Sequence, residues 1–232
     1  LKRQLTRWVA RRSFAGCQGV SVRDYASANL LANWQIPCLQ APDPVWALAP
    51  SPVARLWDLP APRVAVTWRM HSSLTSQRLN NLIRALVSFQ EATQTFIVLV
   101  PFQVSQDLSI AKSIASQLKG EHQIFCLEDP RELKGLFRGV EMVIGMRYHS
   151  LIMGAAAECR CFALSYDPKV NYLMKELNLP GWDLKQLPDD PNLISKTWLE
   201  YYVNGDPLNG DQIQSLVDRA LMHRDFLTEM LS

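Results

Sequence analysis

Three arginines stand directly after apolar runs that have the composition of buried strands. Arg23 follows GVSV, Arg69 follows VAVTW and Arg147 follows MVIGM. In open α/β sheets, ligands bind beyond the carboxyl ends of the strands, where helix N-termini also direct N–H donors. Arginine is always charged, and its planar fork of donors matches carboxylate and phosphate. The three positions therefore predict a site for an anionic ligand.

His149 lies two residues after Arg147, in the first turn of the helix predicted to follow. The positive end of the helix macrodipole disfavours an imidazolium there by about 0.3–1 kcal/mol, whereas a bound anion favours it. A histidine balanced in this way can give and take a proton at working pH. We therefore predict that His149 is catalytic; a packing or capping role is the alternative.

The arginines also have structural interpretations. An ion pair with Asp24 at a helix start would explain Arg23. Solvation in the loop that follows would explain Arg69. Arg147 fits such a role less well, because the helix after it continues as LIMGAAA, whose small residues allow close packing against a sheet.

A further polar segment, Ser165-Tyr166-Asp167-Pro168-Lys169, follows the next predicted strand. Asp-Pro favours a turn and a helix start for purely local reasons. The alternative is that Asp167 and Lys169 line the crevice that His149 faces, and we include both among the candidate substrate-binding residues.

The hydrophobic periodicity places these segments on the loops of a parallel sheet. Five βα units in a row imply a parallel sheet with helices on both faces. Strands such as TFIVLV are apolar at nearly every position, as strands buried on both faces are. The predicted fold class is α/β, with a doubly wound, Rossmann-like sheet. The strands are expected at 63–68, 95–100, 123–127, 141–145 and 161–165, and the helices between them at 75–92, 107–119, from Pro130, and at 149–158 and 169–177.

The rest of the chain divides around a proline-rich stretch. Prolines at 42, 44, 50, 52, 60 and 62 stiffen the backbone and remove amide donors, so we expect neither a helix nor a central strand there. Before it, helices at 2–14 and 25–34 and a strand at 19–22 resemble the end of another Rossmann-like domain. The predicted organisation is a partial N-terminal domain at 1–45, a linker at 46–62, a C-terminal Rossmann-like domain at 63–193, and C-terminal helices at 194–232.

Composition excludes several classes of function. With 24 basic and 22 acidic residues among 232, the net charge of +2 gives no broad surface for nucleic acid. No apolar stretch reaches the roughly 18–20 residues of a membrane span, so we expect a cytoplasmic protein, with a peripheral position at the inner membrane face as a variant. Walker, GxGxxG, HExxH, GxSxG and EF-hand spacings are lacking. The five cysteines show no metal-ligand spacing and are predicted to be reduced and buried; no metal or cofactor is expected.

The ordered motifs GVSVRDYASANLL, APDPVW, RVAVTWR, GMRYHSLIMGAAA and FALSYDPKV resemble polysaccharide pyruvyl transferases over roughly residues 5–180. The resemblance implies a two-domain GT-B-like fold of which this chain is the C-terminal portion. It implies transfer of the pyruvyl unit of phosphoenolpyruvate to a sugar hydroxyl of a cell-surface polysaccharide, leaving a ketal. The partners implied are phosphoenolpyruvate and a glycan or lipid-linked sugar acceptor.

The same resemblance assigns roles to the candidate residues. Arg23 and Arg147 would bind the donor's carboxylate and phosphate, Arg69 would assist them, and His149 would be the acid/base residue. Tyr148 stands where the family commonly has leucine, and it would change the wall of the pocket. Two alternatives remain: a GT-B glycosyltransferase that uses a nucleotide sugar, and an inactive fragment.

Overall fold

The computed structural model describes residues 4–232 and contains a six-stranded parallel sheet and a smaller two-stranded one. The strands within these residues are β1 Ser21–Val22, β2 Leu39–Gln40, β3 Arg63–Thr67, β4 Phe96–Leu99, β5 His122–Ile124, β6 Met142–Gly145, β7 Arg160–Ser165 and β8 Gly181–Asp183. The α-helices are α1 Gln4–Ala15, α2 Tyr25–Asn33, α3 Ser76–Thr93, α4 Val104–Ala115, α5 Pro130–Leu136, α6 Tyr148–Ala155, α7 Pro168–Glu176, α8 Pro191–Asn204 and α9 Gly210–Leu231. The first residues of the helix predicted at 2–14 lie outside the described part of the chain.

The large sheet has the order β5-β4-β3-β6-β7-β8, and each neighbouring pair is parallel. The chain runs outward from β3 to β5, returns to the centre at β6 and runs outward again to β8. Strand order therefore reverses between β3 and β6, which is the switch point where doubly wound sheets bind ligands. The predicted α/β class and doubly wound sheet are confirmed.

Both faces of this sheet are buried. On one face, α3 and α8 pack together, and the rings of Phe89 and Phe162 meet Trp198 edge-on at 6.4 and 6.3 Å between centroids. On the other face, a Cβ added to Gly154 of α6 would lie 2.7 Å from Val143 Cγ2. The small residues of α6 thus let its backbone approach β6, as the sequence predicts.

The sequence does not predict β8, because its Gly-Trp-Asp run is too short for a periodic signal. Gly181 makes this edge strand possible. Its φ of 156° is rarely adopted by other residues, and a Cβ there would lie 2.1 Å from the carbonyl oxygen of Ala163. The glycine therefore allows the backbone of β8 to lie close to β7.

The chain forms two compact units. One comprises the chain up to Leu48 together with Asp211–Ser232, and the other comprises Ala49–Gly210. In the first, β1 and β2 pair in parallel over a core of Val20, Leu31, Trp34 and Ile36, and His223 Nε2 of α9 lies 3.0 Å from the carbonyl oxygen of Pro42. The large sheet and α8 belong to the second unit.

Two expectations are wrong in detail. The proline-rich stretch is not free of helix, because 3₁₀ turns form at Pro44–Ala47 and Ala54–Leu56; proline is tolerated at the first position, where its missing N–H is not needed. The cysteines are not all buried. Cys159 and Cys161 are buried, Cys38 is partly buried, and Cys17 and Cys126 are exposed because they lie beyond the ends of α1 and β5.

Candidate functional site

The candidate residues of the second unit lie along the carboxyl edge of the large sheet. Parallel strands end at the same edge, so the residues that follow β3, β4, β6 and β7 are brought together there. Arg69 follows β3, the first turn of α4 follows β4, Arg147 follows β6, and Tyr166 follows β7. The positions flank the switch point between β3 and β6.

Arg147 forms a two-point ion pair with Asp107 on α4. Its Nε donates to Asp107 Oδ2 at 3.0 Å, and its Nη2 donates to Oδ1 at 2.5 Å. The arginine side chain is 14% exposed and the aspartate side chain is 0% exposed. Asp107 Oδ2 also accepts from the backbone N of Gln103 at 2.9 Å, at the start of α4. Arg147 is therefore held rigidly, and its charge is compensated.

Arg69 is half-buried and held by neutral groups. Its Nη1 donates to the hydroxyl of Tyr166 at 3.1 Å, and its Nη2 donates to Gln106 Oε1 at 3.0 Å. The guanidinium carbon lies 5.3 Å from the centre of the Tyr166 ring. The centres of the His71 and Tyr166 rings are 4.6 Å apart. The buried Nε of Arg69 has no hydrogen-bond partner.

Tyr148 and His149 form the first turn of α6, immediately after Arg147. Their rings meet edge-on at 5.4 Å, and both side chains are partly buried. The start of this helix is fixed by Ser150, whose Oγ donates to the carbonyl oxygen of Arg147 at 2.7 Å and lies 2.6 Å from Thr67 Oγ1 of β3. His149 thus stands on a fixed turn at the switch point.

Asp167 and Lys169 begin α7 beyond β7. Asp167 Oδ1 accepts from the backbone N of Lys169 at 2.9 Å, which is an N-cap contact. The Lys169 side chain is exposed, and Ser165 Oγ donates to the carbonyl oxygen of Asp167 at 3.2 Å. The visible contacts of Asp167 are those of a helix start.

Arg23 belongs to the other compact unit. Its Nη1 donates to Asp43 Oδ2 at 2.5 Å, and the Asp43 side chain is almost fully buried. Asp24 instead accepts from the backbone N of Ser27 at 2.8 Å and caps α2. The charge next to Arg23 in sequence is therefore used for the helix, and the ion pair forms with a residue 20 positions away.

Sequence reasoning missed two of the residues that hold the arginines, Gln106 and Asp107, whereas Tyr166 lies in the polar segment noted after the last predicted strand. Gln106 and Asp107 carry no strand-end signal, because the segment PFQVS separates them from the predicted strand at 95–100. The predicted start of α4 at residue 107 also placed this turn outside the helix, whereas α4 begins at Val104.

Two kinds of feature are not found in residues 4–232. The histidines, cysteines and acidic residues described there form no group of three or more that could hold a metal ion. The helices described there are each too short or too polar to cross a membrane.

Three solved structures share the fold at low identity. HepE of Anabaena, in complex with UDP and glucose, is 12% identical with a TM-score of 0.56, and the match covers 99% of this chain and 67% of HepE. A Listeria monocytogenes protein provisionally assigned as a UDP-N-acetylglucosamine 2-epimerase is 14% identical with a TM-score of 0.57, over 85% of this chain and 52% of that protein. The α,α-trehalose 6-phosphate synthase of Burkholderia multivorans is 11% identical with a TM-score of 0.52, over 91% and 58%.

The chain spans between about half and two thirds of the length of these structures. The likeness establishes a GT-B-like fold. No curated protein matches the sequence significantly. Residues 1–168 match the family described as polysaccharide pyruvyl transferase, which is more than half of the 232 residues. The chain therefore belongs to the polysaccharide pyruvyl transferase family.

Proposed function

We propose that the protein transfers the pyruvyl group of phosphoenolpyruvate to sugar hydroxyls of a cell-surface polysaccharide, or of its lipid-linked precursor, and forms a ketal. The observation that carries this proposal is the pair of arginines at the switch point. Arg69 and Arg147 come from β3 and β6, and both are held by the first turn of α4. Phosphoenolpyruvate carries a carboxylate and a phosphate on three carbons, so it requires closely spaced cationic donors.

The reaction consumes one donor and two hydroxyl groups. The methylene carbon of phosphoenolpyruvate gains a proton, one acceptor oxygen bonds to the neighbouring carbon, and inorganic phosphate leaves with the carbon–oxygen bond electrons. The second acceptor oxygen then bonds to the same carbon to close the ketal. Of the two hydroxyl protons, one returns to the group that protonated the methylene carbon, and the other goes to phosphate. The chemistry needs no redox cofactor.

His149 is the residue we propose to carry the proton. It stands on the turn that follows Arg147, so a donor bound by Arg147 would lie beside its imidazole. Tyr148, Asp167 and Lys169 would line the same edge, and Arg23 is proposed as a further donor-binding residue. General acid–base catalysis by one placed histidine typically gives about 10²–10⁴-fold in rate. We expect the reaction to take place in the cytoplasm.

Phosphate release tests the proposal. The protein is incubated with phosphoenolpyruvate and a panel of β-linked sugars, and inorganic phosphate and the ketal methyl signal are measured together. We expect phosphate release that depends on an acceptor with two suitably placed hydroxyls. Turnover of a nucleotide sugar in place of phosphoenolpyruvate would favour a glycosyltransferase and contradict the proposal.

A further inference from the structure

The first turn of α4 presents two adjacent acceptors to two arginines. Gln106 Oε1 accepts from Arg69 Nη2 at 3.0 Å, and the Asp107 carboxylate accepts from Nε and Nη2 of Arg147. The arginines come from different strands, 37 and 40 residues away from these acceptors. One helical turn therefore sets the positions of both guanidinium groups.

The two acceptors differ in charge. Asp107 is a carboxylate and offsets the charge of Arg147, whereas Gln106 is a neutral amide. Within residues 4–232, the salt bridges of the structure do not include Arg69. Its other contact, the Tyr166 hydroxyl, is also neutral. The described carboxylates therefore do not offset the charge of Arg69, whereas Asp107 offsets that of Arg147.

The surroundings of Arg69 favour binding of an anion. The guanidinium lies over the Tyr166 ring, and the Nε atom is buried without a partner. A half-buried cation without a counter-ion loses part of its interaction with water. A bound anion compensates for that loss more strongly than a neutral hydrogen-bond acceptor does. The start of α4 adds the positive end of its macrodipole on the same side.

We propose that Arg69 supplies the charge that binds the donor's phosphate, and that Gln106 and Tyr166 are positioning residues that fix its guanidinium without neutralising it. This inference rests on the proposed function and makes it more specific. Arg147, already paired with Asp107, orients the donor through its remaining N–H donors. Because Gln106 is neutral, it holds Arg69 without adding a negative charge, as a glutamate at this position would. The site therefore keeps its net positive charge.

Changing Gln106→Glu separates charge from geometry. The glutamate side chain has the same shape and can still accept from Arg69, but its negative charge offsets the charge of the guanidinium. We expect the Kd for phosphoenolpyruvate, measured by calorimetry at about 0.15 M salt, to rise about tenfold or more, since the added carboxylate competes with the donor phosphate for the Arg69 guanidinium. The melting temperature should be unchanged or higher. A purely structural role for Gln106 predicts unchanged affinity.

The matched control is Ser105→Glu, which adds the same charge to the same turn. Ser105 is exposed and makes none of the hydrogen bonds in this cluster. Its variant should bind phosphoenolpyruvate within about twofold of the unchanged protein, because an exposed charge that does not contact Arg69 is weakened by solvent and screened beyond about 8 Å at physiological salt. Equal weakening in both variants would show a general field effect and overturn the inference.

Inorganic phosphate distinguishes this inference from the proposed function. If inorganic phosphate binds the unchanged protein and Gln106→Glu weakens that binding, the role of Arg69 is supported. This holds even if phosphoenolpyruvate releases no phosphate with any acceptor. In that case the inference stands and the proposed reaction fails. If the Gln106→Glu protein binds phosphate and phosphoenolpyruvate as well as the unchanged protein does, or if the unchanged protein binds neither, the inference is wrong.

Discussion

The ion pair between Arg147 and Asp107 shows how a single buried carboxylate organises the site. Removing one partner of a buried pair leaves the other charge without hydration or a counter-ion, which typically costs about 3–5 kcal/mol. Asp107→Asn should therefore lower the free energy of unfolding by about that amount, as measured by urea denaturation.

An exposed helix cap gives the control for this change. Asp129 caps α5 by accepting from the backbone N of Arg131 at 2.7 Å. Asparagine caps a helix about as well as aspartate, so Asp129→Asn should change stability by less than about 1 kcal/mol. Equal effects of the two substitutions would mean that the carboxylate at position 107 serves only the helix start.

His149 is the residue whose removal should affect the chemical step. We expect His149→Ala to lower kcat by about 10²–10⁴-fold with little change in KM for phosphoenolpyruvate, because the arginines that bind the donor are retained. His122→Ala is the control, since this histidine lies on β5. The activity of the His122→Ala protein should stay within about twofold of that of the unchanged protein. An active His149→Ala protein would remove the histidine from the mechanism while leaving the family assignment intact.

At the scale of elements, the close approach of α6 to the sheet determines where Arg147 and His149 stand. A Cβ at position 154 would meet Val143 Cγ2 at 2.7 Å and Cys161 Sγ at 3.1 Å. Overpacking of this kind typically costs about 1–3 kcal/mol, so Gly154→Val should lower stability by at least that amount and weaken donor binding. Gly210, which has nothing within 4 Å of its added Cβ, is the control, and Gly210→Ala should be neutral in both assays.

The reactivity of the cysteines tests the packing of the same elements. Burial raises the pKa of the Cys159 and Cys161 thiols, so both remain protonated and inert at pH 8. Cys17 and Cys126 are exposed. Mass spectrometry after maleimide treatment of the native protein should show rapid modification of the exposed pair and none of the buried pair until the protein is unfolded. Rapid labelling of Cys161 would contradict the packing of α6 on β7.

The alternation of elements was predictable because buried parallel strands and amphipathic helices leave strong periodic signals. The edge strand β8 was not, since three residues carry no period and its pairing depends on a tertiary contact of Gly181. The strand-end arginines were predictable for the same topological reason. Their partners were not, because Gln106 and Asp107 meet arginines that are 37 and 40 residues away, and spacing along the chain does not encode such contacts.

At the scale of the whole molecule, the candidate donor-binding arginines are divided between the two compact units. Arg69 and Arg147 belong to Ala49–Gly210, whereas Arg23 belongs to the unit that contains α9. Arg23 is paired with Asp43 and lies in a segment stabilised by that contact. If Arg23 contributes to donor binding, Arg23→Met should raise KM for phosphoenolpyruvate about tenfold or more, while Arg69 and Arg147 still bind inorganic phosphate. Unchanged KM would remove Arg23 from the donor-binding residues.

The most direct measurement is a crystal structure of the protein with phosphoenolpyruvate. We predict the donor at the carboxyl edge of the large sheet, with phosphate oxygens about 2.7–2.9 Å from the guanidinium nitrogens of Arg69 and the methylene carbon facing His149. The ion pair of Arg147 with Asp107 should be retained. Phosphoenolpyruvate bound away from the switch point between β3 and β6, with Arg69 and Arg147 not in contact with it, would contradict the proposed function and the role of both arginines.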